Sequence, residues 1–496
     1  MPTATFPRTV LRHPVAASLL VLAGAFAICV GLGWWSGWLD SVAGWLFILS
    51  AAVPISVIVL GAAGNLFWLK LAAAPLPRGR GGEVSEARVD VLLCTADDFE
   101  EDAALAAAQQ DLPGARLVIL DDSRAPASRE RIDRFAAQHR VSVVRRTDRS
   151  GFKAGNLNSY LAGGTDAAHI IVVDADQHLP AGFARRALRA IEADPAIAVV
   201  QGAVRTRRAA SSFAAEFGGM LDAYLNTVER GRAAAGSAQF LGRGAILRVA
   251  ALHDVGGFPA IVMEDMALGL RLRARGWRIE RDARLVSFES YPPDAVAFRK
   301  QFAKFTEGST ELLVRQLRGP GPRNPAHRID ALLQCALPVA AAALTIITFA
   351  GAMVAPLPPV LLAVPALCGI VAVLPETVRR WRQQGILAAA RFAALAVLLY
   401  TSMAIVTVRA AFRVGLGGRA RFAITPKRSA RGGALIREVL PELAIASAAV
   451  GVAIAVSGDV RPAMGMVGAA SIGACWVLAG LRPTTRVADE ELSPAR

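Results

Sequence analysis

Long apolar stretches crowd the two ends of this chain and are absent from its middle, which constrains its fold more than any other feature. Val15 to Trp34 and Gly44 to Leu69 carry no charge at all. Ala331 to Val354 and Pro356 to Leu374 follow a long polar centre, and Val439 to Val456 and Pro462 to Leu481 close the series. Each matches the ~20 residues that span a hydrocarbon core. Arg8, Arg12 and His13 precede the first stretch, but its apolar run exceeds the ~7–15 residues of a signal peptide, so it reads as a retained helix. Composition agrees: 54% of the 496 residues are hydrophobic and only 19% charged, against about 25% in soluble domains. A disordered chain or a disulfide scaffold is excluded. The five cysteines (Cys29, Cys94, Cys335, Cys368 and Cys475) have no zinc-ligand spacing and read as small buried apolar groups.

The net charge of +15, from 55 Lys and Arg against 40 Asp and Glu, fits basic cytoplasmic loops and needs no nucleic-acid partner. The stretch Ile386 to Val408 is also long enough to span. It lies between Arg379, Arg380 and Arg382 on one side and Arg409, Arg413, Arg419, Arg421, Lys427, Arg428, Arg431 and Arg437 on the other. Two basic flanks place both ends in the cytoplasm, so an interfacial or re-entrant helix is expected there. Six spans then put every basic cluster on one side. The expected organisation is an N-terminal stub and two spans over 1–70, a cytoplasmic domain over 71–318 and two spans over 319–375. An interfacial helix with a following loop takes 376–437, and two spans with a short tail take 438–496.

Residues 85–318 read as a soluble α/β domain. Short β-branched runs at Arg88–Thr95, Arg116–Leu120, Val141–Val144, His169–Val173 and Ile197–Val200 alternate with helical patterns, predicting a mostly parallel sheet covered on both faces. Acids follow three of these strands: Asp97 and Asp98, then Asp121 and Asp122, then Asp174 and Asp176. Open α/β sheets bind ligands beyond the carboxyl ends of their strands. Aspartates are also ordinary turn and cap residues, but three strand ends together point to a site. Asp174 and Asp176, one residue apart, suit a divalent cation shared with phosphate oxygens. Glu264 and Asp265 open a helix, where acids complement the macrodipole or where Asp265 acts as a general base. Lys153-Ala154-Gly155-Asn156-Leu157-Asn158 brings a cation and two amides to a loop–helix junction, fit for charge-assisted bonds to a nucleotide.

In this order the motifs resemble the processive family 2 glycosyltransferases, such as the bacterial cellulose synthase catalytic subunit and the curdlan and hyaluronan synthases, over about residues 85–440. The resemblance implies an α/β GT-A (Rossmann-like) domain held between transmembrane helices in the inner membrane of a bacterium. It implies a UDP-sugar donor, glucose favoured, with Mg2+ or Mn2+ on Asp174 and Asp176. A growing β-linked glycan would be the acceptor, leaving across the membrane, with membrane lipid and accessory export subunits as further partners. Donor contacts are then expected from Asp97, Asp98, Asp122, Lys153, Asn156, Asp174 and Lys304, and catalysis from Asp265 with Glu264. The family's QxxRW becomes Gln301-Phe302-Ala303-Lys304-Phe305, which places Gln301 and Phe305 at the acceptor and replaces arginine and tryptophan by Lys304 and Phe305. Phe422, Ile424, Thr425 and Lys427 match its gating loop, FxVTxK. A threonine common among relatives is Arg243 here, a second altered position on the acceptor side. The tail after the last stretch is short, with no room expected for a cyclic-di-GMP-binding domain. Two rival expectations are a non-processive enzyme adding one sugar to a lipid carrier and a transporter or scaffold with an inactive domain.

Overall fold

The computed structural model describes residues 40–72, 86–207, 211–318, 324–354, 373–421 and 433–460, with scattered positions from 23 to 37 and at 467. In chain order the elements are α1 (Val42–Ala72), β1 (Val89–Thr95), α2 (Glu101–Ala108), β2 (Ala115–Asp121), α3 (Pro126–His139), β3 (Ser142–Arg145), α4 (Phe152–Ala162), β4 (His169–Asp174), α5 (Phe183–Glu192) and β5 (Ile197–Thr206). Then come α6 (Ser212–Ala234), β6 (Ala245–Arg248), α7 (Val249–Asp254), α8 (Glu264–Arg275), β7 (Arg278–Glu289), α9 (Ala295–Arg318), α10 (Pro325–Val354), α11 (Leu374–Gln384), α12 (Ile386–Ser402), α13 (Ala404–Gly415) and α14 (Gly433–Ser457).

The strands form one seven-stranded sheet in the order β3-β2-β1-β4-β6-β5-β7. Successive strand side chains point to opposite faces, so Val89, Val91 and Leu93 enter one apolar layer and Leu92 the other. Helices α2, α3 and α5 cover the first face, and α4, α7 and α8 the second. The buried Asp90 in β1 is held by the Arg116 guanidinium and the hydroxyls of Tyr160 and Thr165, each at 2.5 Å. Burial would raise its pKa, but these donors outweigh burial and lower it.

The expected parallel sheet is mixed. Strand β6, absent from the sequence reading, runs antiparallel to both β4 and β5. Its reversal has a consequence for the site: the residues entering β6 lie beside the residues leaving β4, with Ala245 opposite Val172.

Two described helices are long and apolar enough to cross a membrane, over Gly44–Gly61 in α1 and Pro325–Thr348 in α10. They match two of the six expected spans. A third expected span falls within α14, whose apolar part is the shorter Leu443–Val456. Those at Val15–Trp34, Pro356–Leu374 and Pro462–Leu481 lie mostly outside the described residues, and Phe422, Ile424, Thr425 and Lys427 lie wholly outside them. The single interfacial helix expected over 386–408 is two helices, α12 and α13, bent by 40°. At the break the Ser402 carbonyl accepts from Arg299 Nη1 at 3.2 Å, and the Ser402 hydroxyl donates to Leu399 O at 2.6 Å. Side-chain partners of this kind interrupt a helical ladder. Together the pair is apolar enough for one broken span or a re-entrant loop.

Helix α1 packs against α10 and α6 at very short range. A Cβ on Gly231 would strike the Trp68 carbonyl, and one on Gly61 would strike the Leu337 side chain. Glycine therefore lets the backbones meet and seats α6 against the apolar α1.

Candidate active site

A cavity of about 1040 Å³ opens at the carboxyl ends of β1, β2 and β4 and continues between α1, α6, α9 and α10. Most described candidates named from the sequence line it: Asp97, Asp98, Asp122, Lys153, Asn156, Asp174, Asp176, Glu264, Asp265, Gln301, Lys304 and Phe305, whereas Asp121 is buried and accepts from Arg145 Nε at 2.6 Å. Lining is not the same as being available, and the hydrogen bonds separate these residues.

Asp97 and Asp98 build the loop. Asp97 takes a left-handed φ of 67°, and its Oδ1 accepts from the Arg124 and Ala125 N–H groups at 2.9 Å. It thereby ties the segment that leads into α3 to the loop after β1. Asp98 Oδ1 accepts from Thr95 Oγ1 at 3.0 Å and from the Ala96 N–H at 2.8 Å. Asp122 is gripped by Arg146, whose Nε and Nη2 donate to its two oxygens at 2.9 and 2.7 Å. Arg146 also donates to the carbonyls of Ser150 and Phe152, both at 2.8 Å. The end of β2 is thus tied to the loop that delivers Lys153. Arg146 was missed in the sequence, because a basic residue after a short strand carries no distinctive spacing.

In the KAGNLN segment the side chains divide. Lys153 Nζ donates to Asp174 Oδ1 at 2.5 Å and to Gly242 O at 2.8 Å. Burial opposes its charge, but Asp174 and the other nearby acids outweigh burial and raise its pKa. A Cβ at Gly155 would collide with Ser150 O, so only glycine lets the loop fold back here. Asn156 is 2% exposed, and its Oδ1 has no hydrogen-bond partner among the described residues. Asn158 is structural: its amide exchanges two 2.7 Å bonds with the backbone of Phe258.

Asp174 and Asp176 do not share one extended strand, as the spacing suggested. β4 ends at Asp174, and the chain turns so that the Gln177 N–H donates to Asp174 O at 3.0 Å. The Asp174 side chain is 37% exposed, while Asp176 is 7% exposed. Among the described residues no three acidic, histidine or cysteine side chains gather as a metal cage. Two cavity-facing carboxylates fit a cation that takes its other ligands from a diphosphate and water.

The reversed strand brings in Arg243. Its guanidinium forks onto Glu289 through Nε and Nη2, and Nε lies 3.8 Å from Asp174 Oδ2. Asp174 therefore sits between two cations. The preceding residue, Gly242, has φ 78°, and a Cβ there would stand 3.2 Å from Asp265 Oδ2. One short loop thus touches Lys153, Asp174 and Asp265. Glu289, at the end of β7, was also missed; a glutamate ahead of a Ser-Tyr-Pro-Pro turn was the available signal.

Glu264 and Asp265 form the first turn of α8, where Asp265 Oδ1 accepts from the Met266 N–H at 2.7 Å. Burial and the adjacent Asp265 push Glu264 up to about 8. Burial also raises Asp265, against the opposing pull of the Met266 N–H, Arg243 and Lys153. The two carboxyls titrate as a pair that retains a proton near neutrality. On α9, Lys304 lies 5.3 Å from the centroid of the Phe305 ring, which is 45% exposed. Deeper, Arg232 is 2% exposed, bonded to Glu229 at 2.6 Å and to both oxygens of Asp330 at 3.1 Å, over the Trp68 ring.

Residues 169–409 match the family model described as Glycosyl transferase family group 2, and 102–233 match Glycosyl transferase family 2. The chain carries a family 2 glycosyltransferase domain. That domain is 29% identical over 234 residues to glucomannan 4-beta-mannosyltransferase 7 of Arabidopsis thaliana, covering 44% of this chain and 41% of that one. It is 28% identical over 254 residues to the cellulose synthase 1 catalytic subunit (UDP-forming) of Komagataeibacter xylinus, covering 48% and 33%. The matched region thus spans less than half the length of these relatives. The mannosyltransferase of Pyrobaculum calidifontis, solved with GDP-Man and Mn2+, superposes with a TM-score of 0.50 at 22% identity, over 70% of this chain and 97% of that one. The fold is the GT-A-like fold of glycosyltransferases.

Proposed function

We propose that this protein is a membrane-embedded, inverting, processive glycosyltransferase that extends a β-linked glycan from a nucleoside-diphosphate sugar, UDP-glucose favoured, and passes the product between its helices. One observation carries the reading: Asp174 and Asp265 face one cavity across the Gly242–Arg243 loop, and that cavity continues between the apolar helices α1 and α10.

In this reading the acceptor hydroxyl attacks the anomeric carbon from the face opposite the diphosphate. The new C–O bond forms as the bond to the diphosphate oxygen breaks, the hydroxyl proton passes to Asp265, and the nucleoside diphosphate leaves. Burial raises the affinity of the Glu264–Asp265 pair for that proton. Lys153 and Lys304 supply positive charge where the leaving group gains negative charge. Arg243 is a positioning residue that steadies Asp174 through its fork to Glu289. Asp174 and Asp176 would hold a divalent cation, which, when bound, offsets charge on the diphosphate. Gln301 and Phe305 lie where the acceptor end would rest, and Phe422, Ile424, Thr425 and Lys427 remain proposed to close over the donor. Asp97, Asp98 and Asp122 shape the nucleotide wall through the loops they hold.

The test feeds labelled UDP-glucose to the purified full chain and sizes the product on a gel. A ladder of long, β-glucanase-sensitive chains supports the reading. A single added sugar favours a non-processive enzyme, and donor turnover indistinguishable from a no-enzyme control rejects both.

A further inference from the structure

Helix α9 carries Gln301, Lys304 and Phe305 into the main cavity, but two other residues on it, Glu307 and Gly308, do not line that cavity. They join the Glu264–Asp265 turn to the bent helix pair. Glu307 forms an ion pair with Arg413 near the end of α13, and its Oε2 accepts from the Arg421 N–H at 2.9 Å. Its side chain is 14% exposed, so the pair is screened less than one at the open surface. The chain reaches Glu307 by folding back on α13: Gly417 takes φ 97°, and the Gly418 N–H donates to Arg413 O at 3.1 Å. Nearer the start of α9, Arg299 Nη1 donates to Ser402 O at the break between α12 and α13. Helix α9 is thus fixed to the bent pair at two points along its length.

The next residue faces a different neighbour, because consecutive helical positions diverge by about 100°. A Cβ on Gly308 would stand 2.8 Å from Met263 Cγ and 3.1 Å from Val262 Cβ. The α9 backbone therefore rests against the two residues that precede Glu264 and Asp265. Glycine inside a helix costs about 1 kcal/mol relative to alanine, and here it permits that close approach. One turn further on, Leu312 is buried with Ala267 and Leu270 of α8. We propose that Glu307 and Gly308 are positioning residues for Asp265: Glu307 anchors α9 to α13, and Gly308 passes that placement through Met263 to the turn that holds Asp265 in the cavity. The inference rests on the base role proposed for Asp265. A base must stand within hydrogen-bond reach of the proton it takes, and a misplacement of about 1 Å can cost about 100-fold in rate. Since neither residue lines the cavity, their loss acts on the rate and not on the donor's affinity.

The test reads the turn in two ways on the purified full chain. Hydrogen exchange of peptides covering residues 261–268 compares the wild type with Glu307→Ala, Gly308→Ala and Glu311→Ala. The last removes an acid whose ion pair with Arg315 stays within α9. Transfer from labelled donor gives kcat and KM for the same proteins. Glu307→Ala is expected to speed exchange in 261–268 about 10-fold. Both Glu307→Ala and Gly308→Ala should lower kcat about 10-fold with the donor KM within about two-fold, and Glu311→Ala should match the wild type throughout. Adding Met263→Ala to Gly308→Ala should return most of the lost rate, which a general loss of stability would not do. Wild-type exchange or wild-type kcat in Glu307→Ala overturns the proposal, as do equal effects in Glu311→Ala or a raised KM at unchanged kcat. If Gly308→Ala fails to fold, Glu307→Ala decides alone. Exchange needs no turnover, so the two failures stay distinct: a wild type that transfers no sugar rejects the base role, and unaltered exchange in Glu307→Ala rejects the clasp.

Discussion

Two clusters of charged side chains line the same cavity and are built differently. In the deep cluster, Arg232 is wrapped by Glu229, Asp330 and the Trp68 ring, so a guanidinium that is 2% exposed has partners on every side. At the sheet edge, Asp174 is shared between Lys153 and Arg243 and stays 37% exposed, and Glu264 and Asp265 crowd each other. A satisfied buried network resists change, while crowded like charges leave a proton poised to move. In the proposed reading the deep cluster serves architecture and the edge serves chemistry.

The sharpest way to break that contrast is Asp265→Asn. Transfer should fall by about 10³-fold or more, with UDP affinity within a few-fold and the thermal midpoint unchanged. Wild-type turnover in radiolabel incorporation would remove Asp265 from the base role. The deep cluster should respond in stability. Arg232→Ala strands Glu229 and Asp330 and should cost about 3–5 kcal/mol, read as a lowered unfolding midpoint in detergent. A midpoint within a degree of wild type would erase the distinction.

A smaller effect concerns pH. The raised Glu264 keeps its proton in the folded chain, while the unfolded chain releases it above the ordinary value of 4.5. Its contribution to stability is therefore greatest at low pH and declines as pH rises from 4.5 towards about 8. Glu264→Gln should flatten that decline in unfolding midpoints, since the side chain that keeps its proton in the folded chain is then neutral in both states. Midpoint profiles that superimpose would remove Glu264 from that decline. The smallest effect is expected from Trp68→Phe, which weakens the contact with Arg232 by about 0.5–1 kcal/mol. Double-mutant coupling with Arg232 measures it, and zero coupling would leave the ring as packing alone.

Much of the domain was legible because its signals are local. Strand β4 with Asp174, helix α8 with Glu264 and Asp265, and the KAGNLN junction each depend on a few consecutive residues. Asp97 shows the limit: its place after a strand is readable, but its hold on the segment leading into α3 depends on Arg124 and Ala125, far along the chain. Arg146 was invisible for the same reason, since its value lies in reaching Asp122 across 24 positions.

By itself the sequence determined that apolar helices flank an α/β domain, and which acids end its strands. Hydrophobic periodicity and residue type are short-range properties that need no partner. Only the tertiary structure decided that β6 runs backwards, that this reversal delivers Arg243 and Gly242 to Asp174 and Asp265, and that the cavity continues between α1 and α10. Those outcomes rest on strand pairing and on glycine-permitted backbone approach between distant segments. Which partner each side chain meets is a property of the packed chain, not of its neighbours in sequence.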